Sequence, residues 1–159
     1  MRYRADIDGL RALAVLPVVF FHLEISAFSG GFVGVDIFFV ISGYLITSLI
    51  WEELQNGRFS LLDFYERRVR RILPALFVVL FATSIVASFI MLPADFKAYG
   101  RSLIATVLFL SNFVFYREAG YFEGPSEAKP LLHTWSLAIE EQYYLCFPIM
   151  LWLAFRYDR

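Results

Sequence analysis

One cysteine, Cys146, is all the chain carries, so no internal disulfide and no cysteine metal cluster can form, and packing is the role expected of it. Net charge is nearly absent as well. The balance of -1 is cancelled locally, because charged residues cluster between apolar runs, and no nucleic acid or other strongly charged partner is expected. Lysine and arginine are missing from Leu23 to Asp36, and no ionisable side chain interrupts Ile72 to Leu92. Internal repeats and low-complexity segments are lacking too. What abounds is apolar surface: 59% of the 159 residues are hydrophobic and 19% aromatic, against the roughly 45–50% apolar share of a soluble domain. That surplus points to a membrane protein.

Arg2 and Arg4 ahead of the apolar stretch Leu10 to Phe21 imitate a secretory signal. Asp6 and Asp8 interrupt the basic start and no A-x-A cleavage site follows, so a retained span is expected. A membrane helix needs about 20 mainly apolar residues. Five segments compete for that description: 10–28, 34–51, 72–92, 102–116 and 134–155. Ser29-Gly30-Gly31 reads as a tight turn joining the first two into a helical hairpin. The third span ends at Pro93 and Asp95 and is expected to face lipid in part. The fourth is short, hence a thin, tilted or re-entrant segment. A polar loop from Arg117 to Pro130 precedes the last span, for which Thr134 is the expected N-cap. The fold class is therefore an all-α polytopic transmembrane helical bundle.

Cytoplasmic loops retain positive charge. The tail through Arg11 holds three lysines and arginines, the connection from Leu23 to Asp36 none, and the stretch from Glu52 to Arg71 five. The N-terminus and the arginine-rich loop are thus expected in the cytoplasm.

Ionisable groups inside hydrocarbon cost several kcal/mol and default to functional candidates. Arg11 and His22 are eleven residues apart, which at ~100° per residue brings both onto one helix face, about 16–17 Å apart along the axis. An arginine at the cytoplasmic mouth and a histidine deep in the bilayer would line a path suited to a long donor entering from the cytosol. The blander readings are an arginine that snorkels to headgroups and a histidine bonded to a neighbouring helix. Glu24 and Asp36 lie near outer helix ends, as solvated or pairing groups. In Arg67-Arg68-Val69-Arg70-Arg71, the second and last arginines are three apart, so on a helix Arg68 and Arg71 point to one side and can clamp a diphosphate. The same run also serves as a topology signal. Glu140 and Glu141 are adjacent, about 100° apart around the axis, so they cannot face one direction. Glu140 follows His133 by seven residues, a spacing that allows an orienting pair, while charge complementing the helix macrodipole is the plainer account.

Four blocks in order carry a resemblance. They are Asp8-Gly9-Leu10-Arg11-Ala12-Leu13-Ala14-Val15 leading to His22, and Gly31 through Ile46 with its Val35-Asp36-Ile37-Phe38-Phe39-Val40-Ile41-Ser42-Gly43-Tyr44 core. Arg68-x-x-Arg71-Ile72-x-Pro74 follows, then His133 through Leu145 with Glu140-Glu141-Gln142-Tyr143-Tyr144. Over nearly its whole length the chain resembles integral-membrane acyltransferase 3 proteins. The resemblance implies a bacterial inner-membrane enzyme of about ten helices, of which this chain would hold about five, the first half of the membrane domain, with the second half as its missing partner. It also implies transfer of an acyl group, usually acetyl, from coenzyme A to a sugar hydroxyl of lipopolysaccharide O-antigen, exopolysaccharide, peptidoglycan or a macrolide. Arg11 and His22 fall on the family's arginine-x10-histidine pair, Arg68 and Arg71 on its R-x-x-R motif. Acetyl-coenzyme A enters as donor substrate, with no resident cofactor and no metal.

On that basis His22 is the expected base, with Glu140 or Asp36 orienting or charge-stabilising it. Arg68 and Arg71 would hold the donor's phosphates, and Arg11 would guide donor entry. An acyl-histidine relay is a variant. Two readings from other classes compete. In a transporter or channel half, His22 and Glu140 would relay protons. In a lipid-binding scaffold, the arginines would grip headgroups.

Overall fold

The computed structural model describes residues 5–118 and 129–157. The described chain is helical throughout, with no strand among the described residues. Six α-helices follow one another: α1 (Ala5–His22), α2 (Gly34–Gln55), α3 (Leu61–Ile90), α4 (Pro93–Val107), α5 (Ser111–Arg117) and α6 (Thr134–Tyr157). Gly31–Gln55 and Leu61–Ile90 are long and apolar enough to cross a membrane. Most of the polar loop expected from Arg117 to Pro130 lies outside the described residues. At its base, the Lys129 ammonium donates to the Glu118 carboxylate at 3.1 Å and carbonyl at 3.2 Å.

The chain divides into two compact units, residues 1–59 with 150–159 and residues 60–149. In the first, α1 and α2 form a hairpin through two 3-10 turns, Ser26–Phe28 and Gly31–Val33. α1 ends at His22, short of the expected span 10–28, because the chain reverses in a Schellman closure. The Glu24 N–H donates to the Phe21 carbonyl at 3.0 Å and the Ile25 N–H to the Phe20 carbonyl at 3.1 Å. Glu24 takes φ 57°, a left-handed conformation that glycine normally fills at this place. The two helices approach so closely that a Cβ on Gly31 would collide with the Pro17 carbonyl and one on Gly34 with the Ala14 carbonyl. Ala14, Ile46 and Ile50 are buried in this unit.

In the second unit, α3 starts earlier than the hydrophobic run. Ser60 caps it by accepting from the Asp63 N–H at 3.3 Å, with Asp63 complementing the dipole in the first turn. The basic run is therefore helical. Leu76, Leu80 and Ala87 pack with Tyr99, Phe115 and Leu131, while Phe77, Val78, Phe81, Phe89 and Ile90 stay exposed on the other side of α3, a surface that lipid would cover. Three expectations change here. The segment 102–116 is two helices, α4 and α5, broken at Leu108 to Leu110. Thr134 is the first residue of α6, and its hydroxyl donates back to the Leu131 carbonyl at 2.7 Å. Cys146 is exposed instead of packed.

The close approach of α1 and α2 is testable. Gly34→Ala should lower the thermal midpoint of the detergent-solubilised full-length protein, by an overpacking cost of about 1–3 kcal/mol. Gly100→Ala, where a Cβ meets open space inside a helix, should hold or raise it. Equal midpoints for the two variants would show that the hairpin does not depend on the glycine contact.

Candidate functional site

α1 carries two of the expected residues. The Arg11 guanidinium lies over the Phe38 ring of α2, 4.8 Å from its centroid, a cation–π contact that ties the arginine to the hairpin. His22 ends α1, and its Nδ1 lies 2.8 Å from the Val18 carbonyl oxygen. A carbonyl only accepts, so Nδ1 carries the proton and Nε2 holds the lone pair. The ring is exposed. Its orientation thus comes from the backbone of its own helix, in the last turn where carbonyl oxygens favour a histidine donor. Asp36 is exposed in the first turn of α2, where its charge complements the helix dipole.

The second unit brings two sequence motifs together. Arg68 and Arg71 share a side of α3 as their spacing requires, but unequally: Arg71 is exposed and Arg68 half-buried. The Arg68 guanidinium carbon lies 5.6 Å from the Phe64 ring centroid and 5.2 Å from that of Tyr144 on α6. Its Nε is buried without a hydrogen-bond partner. Glu140 and Glu141 are close enough to act on its charge, yet among the described residues Arg68 forms no ion pair. Arg70 does, with Glu66 at 2.6 Å, an exposed pair of small worth.

The two adjacent carboxylates have different partners. The Tyr144 hydroxyl donates to Glu140 Oε1, one helical turn away. Glu141 keeps a buried Oε1 with no partner. His133 immediately precedes the first residue of α6. Tyr65 ties α3 to α6 by donating to the Leu145 carbonyl at 2.7 Å.

α6 is also keyed to the break between α4 and α5. Phe109 takes φ 53°, in a second Schellman closure: its N–H donates to the Thr106 carbonyl at 3.1 Å and that of Leu110 to the Ala105 carbonyl at 2.7 Å. The Gln142 amide donates to the Phe109 carbonyl at 2.7 Å and to Asn112 Oδ1 at 3.0 Å, and Asn112 donates back at 3.3 Å. Below it, Thr106 and Thr134 share a hydrogen bond of 3.0 Å, and Ser111 donates to the Thr134 carbonyl at 2.9 Å. Tyr144, Phe64 and Gln142 were not singled out by sequence reasoning. Two of them had a signal, since Glu140 to Tyr144 and Phe64 to Arg68 are both four-residue spacings that place side chains together on a helix.

Residues 4–158 match the model of the acyltransferase 3 family, described as an acyltransferase domain. A putative O-acetyltransferase of Staphylococcus aureus (strain MSSA476) is 44% identical over 153 residues, 95% of this chain and 25% of that protein. O-acetyltransferase OatA of Staphylococcus aureus (strain NCTC 8325 / PS 47) is 42% identical over 153 residues, 94% of this chain and 25% of that protein. The chain thus spans about a quarter of the length of the curated relatives it matches. No solved structure matches it.

Replacing Gln142 by leucine leaves the Phe109 carbonyl and the Asn112 amide without their partner, at about 1–3 kcal/mol for each group that stays dry. Gln142→Leu and Gln142→Glu should therefore both lower the midpoint of thermal unfolding, since neither side chain can donate to the Phe109 carbonyl. A cysteine placed at Leu108 should label faster with a maleimide in the leucine variant. Unaltered labelling would mean that the break holds without the glutamine.

Proposed function

Because the chain belongs to the acyltransferase 3 family, we propose that it forms part of a multi-pass O-acetyltransferase of the bacterial inner membrane. The enzyme passes an acetyl group from coenzyme A to a hydroxyl of a cell-surface carbohydrate, such as lipopolysaccharide O-antigen, exopolysaccharide or peptidoglycan. Its N-terminus lies in the cytoplasm, and the five apolar segments of residues 1–159 form the first half of a membrane domain of about ten helices.

The observation that supports this reading most is the His22 ring. With Nδ1 tied to the Val18 carbonyl, Nε2 is the basic atom, and it is available to a hydroxyl. As the acceptor oxygen bonds to the thioester carbonyl carbon, Nε2 takes the hydroxyl proton. When the tetrahedral intermediate collapses, the carbon–sulfur bond breaks and the imidazolium returns the proton to the departing thiolate. The Val18 carbonyl and the C-terminal end of α1 stabilise the imidazolium between the two steps. Arg68 and Arg71 hold the donor phosphates, with the planar fork of arginine suited to them, and Arg11 guides the donor in from the cytosol.

Two measurements on the full-length protein in proteoliposomes test the assignment. His22→Ala should abolish acyl transfer while insertion and abundance stay near wild type, and activity above a small residue would return the histidine to a structural role. Arg68→Lys and Arg71→Lys keep the positive charge but lose the bidentate fork. They should weaken donor binding by about 1–3 kcal/mol, roughly tenfold to a hundredfold in apparent acyl-coenzyme A affinity, with little change in acceptor dependence. Unchanged donor affinity in both, with orientation confirmed by cysteine labelling, would leave the cluster as a topology signal.

A further inference from the structure

We propose that Glu140 is a positioning residue that holds Arg68 through Tyr144, and that Glu141 is the carboxylate of the pair that faces bound substrate. The proposal rests on the reading of Arg68 as a donor-binding residue, and it divides between two neighbours a task that the sequence leaves undivided.

Adjacent residues on a helix point about 100° apart, so Glu140 and Glu141 cannot serve one centre. Glu140 accepts the Tyr144 hydroxyl on the same face of α6. Tyr144 is only 5% exposed, and with its hydroxyl anchored the ring has a fixed plane. That plane lies under the Arg68 guanidinium, while Phe64, fully buried one turn before Arg68 on α3, offers its own ring. Aromatic faces therefore set the position of this cation, and the carboxylate that steadies one of them does so at one remove. Among the described residues Arg68 forms no ion pair, which suits a receptor for phosphate.

Glu141 is the complementary case. A buried carboxylate oxygen without a donor is costly unless something satisfies it. Glu141 Oε1 is such an oxygen, and the Arg68 charge lies near it. A substrate group that donates a hydrogen bond, a hydroxyl or an amide N–H, fits that oxygen. Glu140, already bonded to a phenol, offers no equivalent.

The test separates binding from turnover in the full-length enzyme, with acetyl-coenzyme A titrated at saturating acceptor. Glu140→Leu and Tyr144→Phe should raise KM for the donor about tenfold with kcat within about threefold, since a lost ground-state contact acts on KM. Glu140→Gln, which still accepts from the tyrosine hydroxyl, should recover most of the donor affinity lost in Glu140→Leu. Glu141→Gln should instead lower kcat by about a hundredfold or more, the range expected of a group that acts in the transition state. A second readout does not depend on donor binding: the rate at which phenylglyoxal modifies Arg68, followed by peptide mass spectrometry, should rise in Glu140→Leu and Tyr144→Phe and fall back in Glu140→Gln. If Arg68→Lys leaves donor KM unchanged while modification rates shift as described, the donor site is overturned and the positioning stands. Arg68 modification that is the same in all three variants overturns the positioning, as does a kcat loss in Glu140→Gln that equals that of Glu141→Gln.

Discussion

A polar side chain taken into an apolar helical bundle has to find its partner there, and in the unit of residues 60–149 many of these partnerships involve α6. Gln142 reaches the Phe109 carbonyl and Asn112, Tyr144 reaches Glu140, and the Leu145 carbonyl receives Tyr65. Thr134, at the start of the same helix, is bonded to Thr106 and Ser111. These contacts fix the rotation of α6 about its own axis, which apolar packing alone leaves free to slip. Once that rotation is set, Glu140 and Glu141 have no choice about which way they face. The polar network and the proposed division of labour are thus one constraint seen at two scales.

The two positive-φ residues belong to the same economy of partners. A non-glycine residue in the left-handed region costs on the order of 1 kcal/mol or more, and both Glu24 and Phe109 take it up where a helix must end inside an apolar stretch. Each closes two helix carbonyls with the N–H groups that follow. Behind Phe109 the strain is offset by the Gln142 bond to its carbonyl. Behind Glu24 it ends α1 directly after His22, so that the imidazole occupies the final turn and finds the Val18 carbonyl within reach.

What the sequence disclosed follows from how each feature is encoded. The α1–α2 hairpin was legible because Ser29-Gly30-Gly31 stands between two apolar runs. The shared side of Arg68 and Arg71 was legible from helical spacing. The break at Leu108 to Leu110 was not, since three apolar residues occupy it without glycine or proline, and the side chain that supports it, Gln142, lies more than 30 residues later. The early start of α3 was hidden by its charge, because a hydropathy reading stops at the arginines while the Ser60 cap begins the helix before them. The carboxylate pair was recognised as two directions, but assigning a direction to each required the partner, and for Glu140 that partner is a tyrosine on its own helix. His22 was paired in expectation with a carboxylate, whereas the structure supplies a backbone oxygen, a partner that every residue offers and no sequence pattern reveals.

The use of rings to hold Arg68 has an electrostatic reason. In a medium of low dielectric, an arginine locked to a carboxylate has its field cancelled at close range, and a phosphate arriving later must compete for the same nitrogens. A ring face attracts the guanidinium by about 0.5–1 kcal/mol at an open site and by more when desolvated, yet leaves its N–H donors uncommitted. Phe64 and Tyr144 supply such faces. A tyrosine brings a difficulty that a phenylalanine does not, since its hydroxyl also needs a partner where it is buried. Glu140 answers that need. The negative charge stays in the neighbourhood, which limits the cost of keeping a cation there.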